Sequence, residues 1–246
     1  MTVQLLVLRR GDEERRAYFA LAHESELASS AAPPESFLSE AECKLLGSLR
    51  FAQKRQGFLL GRLAAKRALG AMMAEPDVRH IDIRAGVFGQ PLVCHPHADH
   101  AHVTVSHAHG IAVALAYPRE WPMGLDLEGV GAEAATTILG ELQLSAAEQA
   151  WLASELVSAA TACGVLWTAR EALGKSMQIG LNCPLGILAL DNIEPVVLDA
   201  AATPAWAGRY NNFPQSRCLS QARDGRVLSI AMPAEIELHT WPHWHG

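Results

Sequence analysis

Three carboxylates and one lysine, in two short segments, carry the strongest chemical signal in this chain. Asp126 and Glu128 lie in Gly-Leu-Asp-Leu-Glu, and Glu171 and Lys175 lie in Trp-Thr-Ala-Arg-Glu-Ala-Leu-Gly-Lys. Carboxylate oxygens are the ligands that Mg²⁺ prefers, and a nearby lysine can offset charge on a phosphate group. The set is suited to holding a hard cation against a diphosphate, which indicates phosphoryl-type transfer.

Each pair taken alone has an ordinary interpretation. Asp126 and Glu128 share one face of a predicted strand, and such a pair is often only a solvated strand end. Glu171 and Lys175 are four residues apart on a predicted helix, which is also the spacing of a surface ion pair worth about 0.3–0.5 kcal/mol. The chemical interpretation depends on the two pairs occurring together.

Composition limits the classes of protein that could carry this site. The chain has 246 residues, half of them hydrophobic, and a net charge of −6. Its basic residues are scattered, which argues against nucleic-acid binding, and no apolar run approaches the ~20 residues of a membrane span. Arg9-Arg10 follow the first apolar run at once, unlike a signal peptide, and the five cysteines form no Cys-x-x-Cys pair. We expect a cytoplasmic protein with reduced thiols.

The first half of the chain alternates predicted strands with two helices. Ser39 and Glu42 form a capping-box pattern that begins a helix, and apolar spacing predicts a second helix over residues 54–73. Strands are predicted at residues 3–8, 16–21, 80–84, 102–106 and 111–117, the last two joined by a turn at His109-Gly110.

Pro118 and Pro122 interrupt the pattern and suggest a domain boundary. Beyond it, a strand is predicted at residues 123–128 and helices at 134–139, 146–158 and 161–177, followed by strands at 187–190, 196–198, 217–222, 227–232 and 236–239. The sequence thus predicts an α+β protein with two similar subdomains, residues 1–118 and 119–246. A duplicated fold would explain the similarity, although no residue-level repeat establishes it.

The combined pattern, with Glu128 and Glu171 separated by about forty residues, resembles the signature of the 4′-phosphopantetheinyl transferases. The resemblance is to their monomeric, two-subdomain type, which acts on carrier proteins of polyketide and nonribosomal peptide synthetases. It extends into the first half, where four ordered segments are similar to family motifs: Leu38-Ser39-x-x-Glu42, the basic helix from Arg55 to Lys66, Gly89-Gln90-Pro91-Leu92 and Val105-Ser106-His107.

The resemblance implies a reaction and a partner. The protein would move the phosphopantetheine arm of coenzyme A to a serine of an acyl or peptidyl carrier protein and release 3′,5′-ADP, with Mg²⁺ held by Asp126, Glu128 and Glu171. Glu171, directly or through a metal-bound water, would accept the serine proton, and Lys175 would offset charge on the leaving group. The two subdomains would be related by a pseudo-two-fold axis, with the active site in the cleft between them and a monomeric chain.

The same resemblance assigns contacts with coenzyme A to the first subdomain. The residues carried over by motif are Arg55, Arg62, Gly89, Gln90, Pro91, Ser106 and His107. Two positions depart from the family pattern: Gln90 stands where lysine is usual and brings no charge, and Arg170 replaces a lysine and cannot deliver a proton at neutral pH. We expect Arg170 to act only through its charge.

Two alternatives remain open at this point. The run from His95 to His109, which includes His97, Asp99, His100, His102 and His107, could form a zinc site, although its spacing fits no fixed motif and an exposed histidine-rich loop is the commoner outcome. The chain could also be a non-catalytic relative that binds coenzyme A or a carrier protein. The complete set of carboxylates and Lys175 favours catalysis.

Overall fold

The computed structural model describes residues 3–28, 33–96, 98, 100–154 and 157–244 of an α+β protein. The chain divides into two compact units, and the division falls between Trp121 and Pro122. Unit 1 contains the described residues up to Trp121 together with Pro242–Trp244, and unit 2 contains Pro122–Trp241.

Unit 1 places one long helix against an antiparallel sheet. Its strands are β1 (Val3–Arg10), β2 (Glu13–His23), β3 (Asp82–Ala85), β4 (Pro91–Cys94), β5 (Ala101–Ala108) and β6 (Ile111–Pro118), and its helices are α1 (Glu24–Ala28), α2 (Glu40–Ser48) and α3 (Ala52–Met73). Within unit 1, the strands of the sheet follow the order β1-β2-β6-β5, and β3 and β4 form a separate hairpin. Helix α3 packs across β2, β6 and β5, and its Leu63, Ala64 and Ala68 belong to the core.

Unit 2 follows a similar plan. Its strands are β7 (Gly124–Gly129), β8 (Leu190–Pro195), β9 (Ala205–Tyr210), β10 (Ser216–Arg223), β11 (Arg226–Pro233) and β12 (Glu237–Leu238), and its helices are α4 (Ala132–Glu141), α5 (Ala146–Ala153) and α6 (Ala159–Ser176). The sheet has the order β7-β11-β10-β9-β8, and all its pairings are antiparallel. Helix α6 packs across β7, β11 and β10.

The two units share their topology. In each unit, a long helix packs on three neighbouring strands. The strand that precedes the helix in the chain pairs with the last long strand, which in turn pairs with the strand before it. These strands are β2-β6-β5 under α3 and β7-β11-β10 under α6. Each long helix is also preceded by a short helix that begins at a Leu-Ser sequence and a capping box, with Ser39 and Glu42 on α2 and with Ser145 and Glu148 on α5. The second Leu-Ser-x-x-Glu segment is the residue-level repeat that the sequence interpretation missed.

Several predicted elements match the structure and two do not. The capping box at Ser39 and the long helix after it are confirmed, as is the turn at His109-Gly110, where both residues adopt positive φ. The strand predicted at 187–190 is wrong, since Leu185–Leu188 forms a short 3₁₀ helix after Pro184. The strand predicted at 196–198 is also wrong, because β8 ends at Pro195 and these three residues are not part of a strand.

Within the described residues, none of the helices combines the length and the apolar character that a bilayer crossing requires.

Candidate active site

The structure brings Asp126, Glu128 and Glu171 together in unit 2, with one carboxylate oxygen from each residue lying within 4.8 Å of the others. Asp126 and Glu128 project from the same face of β7, and Glu171 projects from α6, which packs on that strand. Gly124 permits the close approach of strand and helix, because a Cβ built there would lie 1.8 Å from the carbonyl oxygen of Ala172.

Lys175 lies one turn after Glu171 and contacts two of the three carboxylates. Its Nζ donates to Asp126 Oδ1 at 2.7 Å and lies 3.4 Å from Glu171 Oε1. The side chain of Asp126 is 1% exposed, whereas that of Lys175 is 21% exposed. One ammonium therefore faces three carboxylates, which leaves an excess of negative charge when all of them are ionised.

That excess is reflected in the pKa values of the site. Burial, followed by the charges of Asp126 and Glu171, raises the pKa of Glu128 to about 7. Burial and the charge of Asp126 likewise raise the pKa of Glu171. Desolvation acts to lower the pKa of Lys175, but Asp126 and Glu171 outweigh it and hold that pKa above its ordinary value, so Lys175 stays protonated.

Trp167, one turn before Glu171, helps to orient the carboxylate. Its side chain packs against the core of unit 2 and makes a hydrogen bond to Glu171 that acts to lower the pKa of that residue. Sequence reasoning assigned Trp167 only a core or helix-positioning role. Its spacing of four residues from Glu171 was the available signal for this contact.

The residues fit a divalent cation. Asp126, Glu128 and Glu171 all offer carboxylate oxygens, the donor type preferred by Mg²⁺. These oxygens are close enough to share one ion. The raised pKa values of Glu128 and Glu171 arise in part from repulsion that a bound cation would relieve. The group is the sole set of three such side chains gathered within that distance in the described part of the chain.

Arg170 does not join this group, contrary to the expectation that its charge serves the site. The side chain is 1% exposed and points to Glu148 of α5, with Nη2 2.5 Å from Oε2. It also donates to the carbonyl oxygens of Leu185 and Gln143, at 2.9 and 3.3 Å. One position along a helix turns a side chain by about 100°, which directs Arg170 and Glu171 to different surroundings.

A second candidate region lies in unit 1, where Arg62 and His107 line a pocket of about 600 Å³. The other lining residues are Gln53, Lys54, Gly57, Phe58, Gly61 and Val105. The imidazole of His107 lies directly over Gly57, because a Cβ built there would be 2.5 Å from Nε2. The guanidinium of Arg62 is stacked 4.8 Å from the centre of the Phe58 ring. Lys54 and Gly57 were missed at the sequence level, although a glycine inside a predicted helix is itself a signal of close packing.

The structure separates the remaining residues that motif similarity had grouped with this pocket. Arg55 donates to the carbonyl oxygens of Leu46 and Leu49 near the end of α2, at 2.7 and 3.4 Å. Ser106 is buried and follows Val105 on β5, so that it points to the opposite sheet face from Val105 and His107.

Gly89, Gln90 and Pro91 lie at the β3-β4 hairpin. Gly89 has a φ of +80°, a conformation that favours glycine, and Pro91 begins β4. The side chain of Gln90 folds over Gly86, and its Oε1 accepts a hydrogen bond from the N–H of Phe88 at 2.9 Å. Gln90 thus stabilises the turn. Comparing its charge with that of the lysine usual at this position did not suggest this role.

The histidine-rich run gives no metal cluster among the residues that the structure describes, and His97 and Asp99 lie outside them. His95 is nearly buried, and its Nε2 lies 3.1 Å from Glu75 Oε2. Glu75 also lies 3.3 Å from Nδ1 of the exposed His80.

Comparison with known proteins gives a limited likeness. No family model matches the chain, and no curated protein matches it. The chain is similar to a holo-(acyl-carrier-protein) synthase from Bacillus anthracis solved in complex with coenzyme A (3′,5′-ADP), at 20% identity and a TM-score of 0.38, over 47% of this chain and 97% of that one. It is also similar to the holo-[acyl-carrier-protein] synthase of Thermotoga maritima, at 21% identity and a TM-score of 0.31, over 59% of this chain and 80% of that one.

Proposed function

We propose that this protein is a Mg²⁺-dependent 4′-phosphopantetheinyl transferase that modifies a serine of an acyl or peptidyl carrier protein. The observation that carries the proposal is the convergence of Asp126, Glu128 and Glu171, with Lys175 bonded to Asp126. The ordered motifs of the sequence supply the reaction class, and the carboxylate group supplies the site that this reaction needs.

Asp126, Glu128 and Glu171 would hold Mg²⁺, which when bound supplies positive charge that polarises the diphosphate of coenzyme A. Lys175 adds a permanent cation at the same place, since its raised pKa keeps it protonated. Its contacts with Asp126 and Glu171 fix the ammonium before substrate arrives, so that little reorganisation is needed as charge develops on 3′,5′-ADP.

Glu171 is our candidate for the proton acceptor. In the proposed reaction, a serine hydroxyl of the carrier protein attacks phosphorus, the bond to the leaving 3′,5′-ADP breaks, and a Glu171 carboxylate oxygen takes up the serine proton. A Glu171 oxygen lies within 4.8 Å of oxygens of Asp126 and Glu128, so it would be next to the diphosphate held at the proposed metal site, within reach of the attacking hydroxyl.

In this proposal, the pocket of unit 1 would contact the 3′-phosphate of coenzyme A. Lys54, Arg62 and His107 offer donors around a space of about 600 Å³. Arg62 is already held by Glu42 Oε1 at 3.0 Å and by the carbonyl oxygen of Ile83 at 2.9 Å. We therefore assign the more adaptable contacts to Lys54 and His107, and we assign Arg62 to shaping the pocket.

The test combines purified protein, Mg²⁺, coenzyme A and a panel of apo carrier proteins, followed by intact-mass measurement. Transfer adds roughly 340 Da to the carrier, the mass of a phosphopantetheine arm expected for this class of transfer. E171Q and a reaction with excess EDTA serve as controls, and both should leave the carrier unmodified. Binding of coenzyme A without a mass gain on any carrier would support the binding-only alternative and reject the transferase.

A further inference from the structure

We infer that Arg170 and Glu148 form a positioning pair that sets α6 in the orientation required for Glu171 to reach Asp126. The inference rests on the proposed function, because it concerns the metal affinity of the same site. Arg170 and Glu148 touch no proposed reacting atom, so the pair would act through the helix alone.

The contacts of Glu148 make it a rigid anchor. Its Oε2 accepts the N–H of Ser145 at 2.8 Å, which closes the capping box of α5, and its Oε1 accepts the N–H of Leu190 at 3.0 Å, at the beginning of β8. Its side chain is fully buried. Moving this carboxylate would break hydrogen bonds in two elements at once.

Arg170 transfers that rigidity to α6. Its guanidinium contacts both oxygens of Glu148. It also donates to the carbonyl oxygens of Gln143, shortly before α5, and of Leu185, the first residue of the 3₁₀ helix. A carboxylate carried about 6 Å from a helix axis moves about 1 Å when the helix rotates by about 10°. Mg²⁺ demands near-ideal geometry at about 2.1 Å, so a displacement of that size would weaken a site built from β7 and α6.

Unit 1 contains a similar buried ion pair between a short helix and the long helix after it, but that long helix carries no counterparts of Glu171 and Lys175. Glu42 Oε2 accepts the N–H of Ser39, Oε1 accepts the N–H of Ile83, and Lys66 of α3 lies 2.7 Å from Oε2. Lys66 also donates to carbonyl oxygens, those of Val78 and Ile81. The residues one and five positions after Lys66 are Arg67 and Ala71, where the helix after Arg170 has Glu171 and Lys175. The Glu42 pair therefore provides a control that anchors a helix but serves no carboxylate group, although Glu42 also contacts Arg62 at 3.0 Å.

The test measures binding of Mn²⁺ alone by electron paramagnetic resonance, with full-length variants whose native fold is checked by near-UV circular dichroism. We expect R170M to weaken Mn²⁺ binding at least about tenfold, an effect of the size seen when a residue that orients a metal ligand is lost. R170K keeps the positive charge, as Lys66 does in unit 1, but cannot reproduce the two-point contact with Glu148, so its Mn²⁺ affinity should lie between those of R170M and the unaltered protein.

Because R170M leaves the buried Glu148 uncompensated and could unfold, the decisive variant is E148Q/R170M. It removes both charges and keeps one carbonyl acceptor, and neutral replacements of buried ion pairs commonly fold. We expect it to be folded with Mn²⁺ binding weakened about tenfold, whereas E42Q/K66M should retain the affinity of the unaltered protein. Unchanged Mn²⁺ affinity in folded E148Q/R170M, or equal losses in the two double variants, would overturn the inference. An unaltered protein that binds no Mn²⁺ would instead reject the proposed function.

Discussion

The ammonium of Lys175 donates a 2.7 Å hydrogen bond to Asp126, whose side chain is only 1% exposed. Removing this cation in K175M would leave a buried negative charge beside two other carboxylates. We expect the free energy of unfolding of the metal-free protein to fall by about 3 kcal/mol near neutral pH, measured by urea denaturation.

The control for K175M is K44M, because Lys44 forms an ion pair with Glu40 at the same helical spacing as Lys175 and Glu171. Lys44 and Glu40 are 75% and 85% exposed, so K44M should leave the free energy of unfolding almost unchanged. If K44M and K175M lowered the free energy of unfolding by the same amount, the result would contradict a role for Lys175 in compensating the buried charge of Asp126.

Metal-free protein should lose stability as pH rises from about 4.5 to about 7. The pKa of Glu128 is raised from 4.5 to about 7 in the folded state, so that the folded chain binds a proton more tightly than the unfolded chain across this window. The contribution of Glu128 to the free energy of unfolding is fully present below its pKa in the unfolded chain. It is lost as pH rises through its pKa in the folded chain. After allowance for solvent screening, the decline should be about 2 kcal/mol.

The pH effect can be isolated by comparing the unaltered protein with E128Q in excess EDTA, using thermal unfolding. E128Q should show a smaller decline with pH, and saturating Mg²⁺ should stabilise the unaltered protein more at about pH 8 than at about pH 5.5. Identical pH profiles for the two proteins would refute the assignment to Glu128.

Gly124 should tolerate no side chain. In G124A the new Cβ would lie 1.8 Å from the carbonyl oxygen of Ala172, a main-chain atom that can move only if α6 moves. We expect destabilisation of about 3 kcal/mol or more in urea, together with loss of Mn²⁺ binding. G140A is the control, because a Cβ at Gly140 also meets nothing within 4 Å and Gly140 lies inside α4, so this variant should be no less stable than the unaltered protein.

A substitution at Gly57 should weaken the binding of coenzyme A without changing the affinity for the metal ion. In G57A the Cβ would lie 2.5 Å from Nε2 of His107 and would push the imidazole out of its position in the pocket. We expect the KM for coenzyme A to rise about tenfold, which corresponds to about 1.4 kcal/mol of binding, while Mn²⁺ affinity stays unchanged.

The control for G57A is G47A, also a glycine inside a helix but with nothing within 4 Å of an added Cβ. G47A should stabilise α2 by up to about 1 kcal/mol and leave the KM unaltered. A KM for G57A equal to that of G47A would argue against a role for His107 in binding coenzyme A.

Sequence patterns predicted the carboxylate group because it consists of acidic residues at fixed spacings within two short motifs. Alternation along β7 paired Asp126 with Glu128, and the segment around Glu171 added the third carboxylate. The role of Arg170 was not accessible in the same way, since its partner Glu148 is 22 residues distant and looks like an ordinary helix-start glutamate. The 3₁₀ helix at Leu185–Leu188 was missed because short apolar runs do not distinguish a strand from a helical turn.

The two buried anchors, Glu42 with Lys66 and Glu148 with Arg170, also bear on how the chain folds. Each joins residues only about 20 positions apart and ties a short helix to the long helix that follows it. Because such local contacts cost little loop-closure entropy, we expect each half of the chain to form its own nucleus early in folding. Refolding should therefore be slowed by R170M and by K66M in separate kinetic phases, each reporting on the half of the chain that carries the substitution.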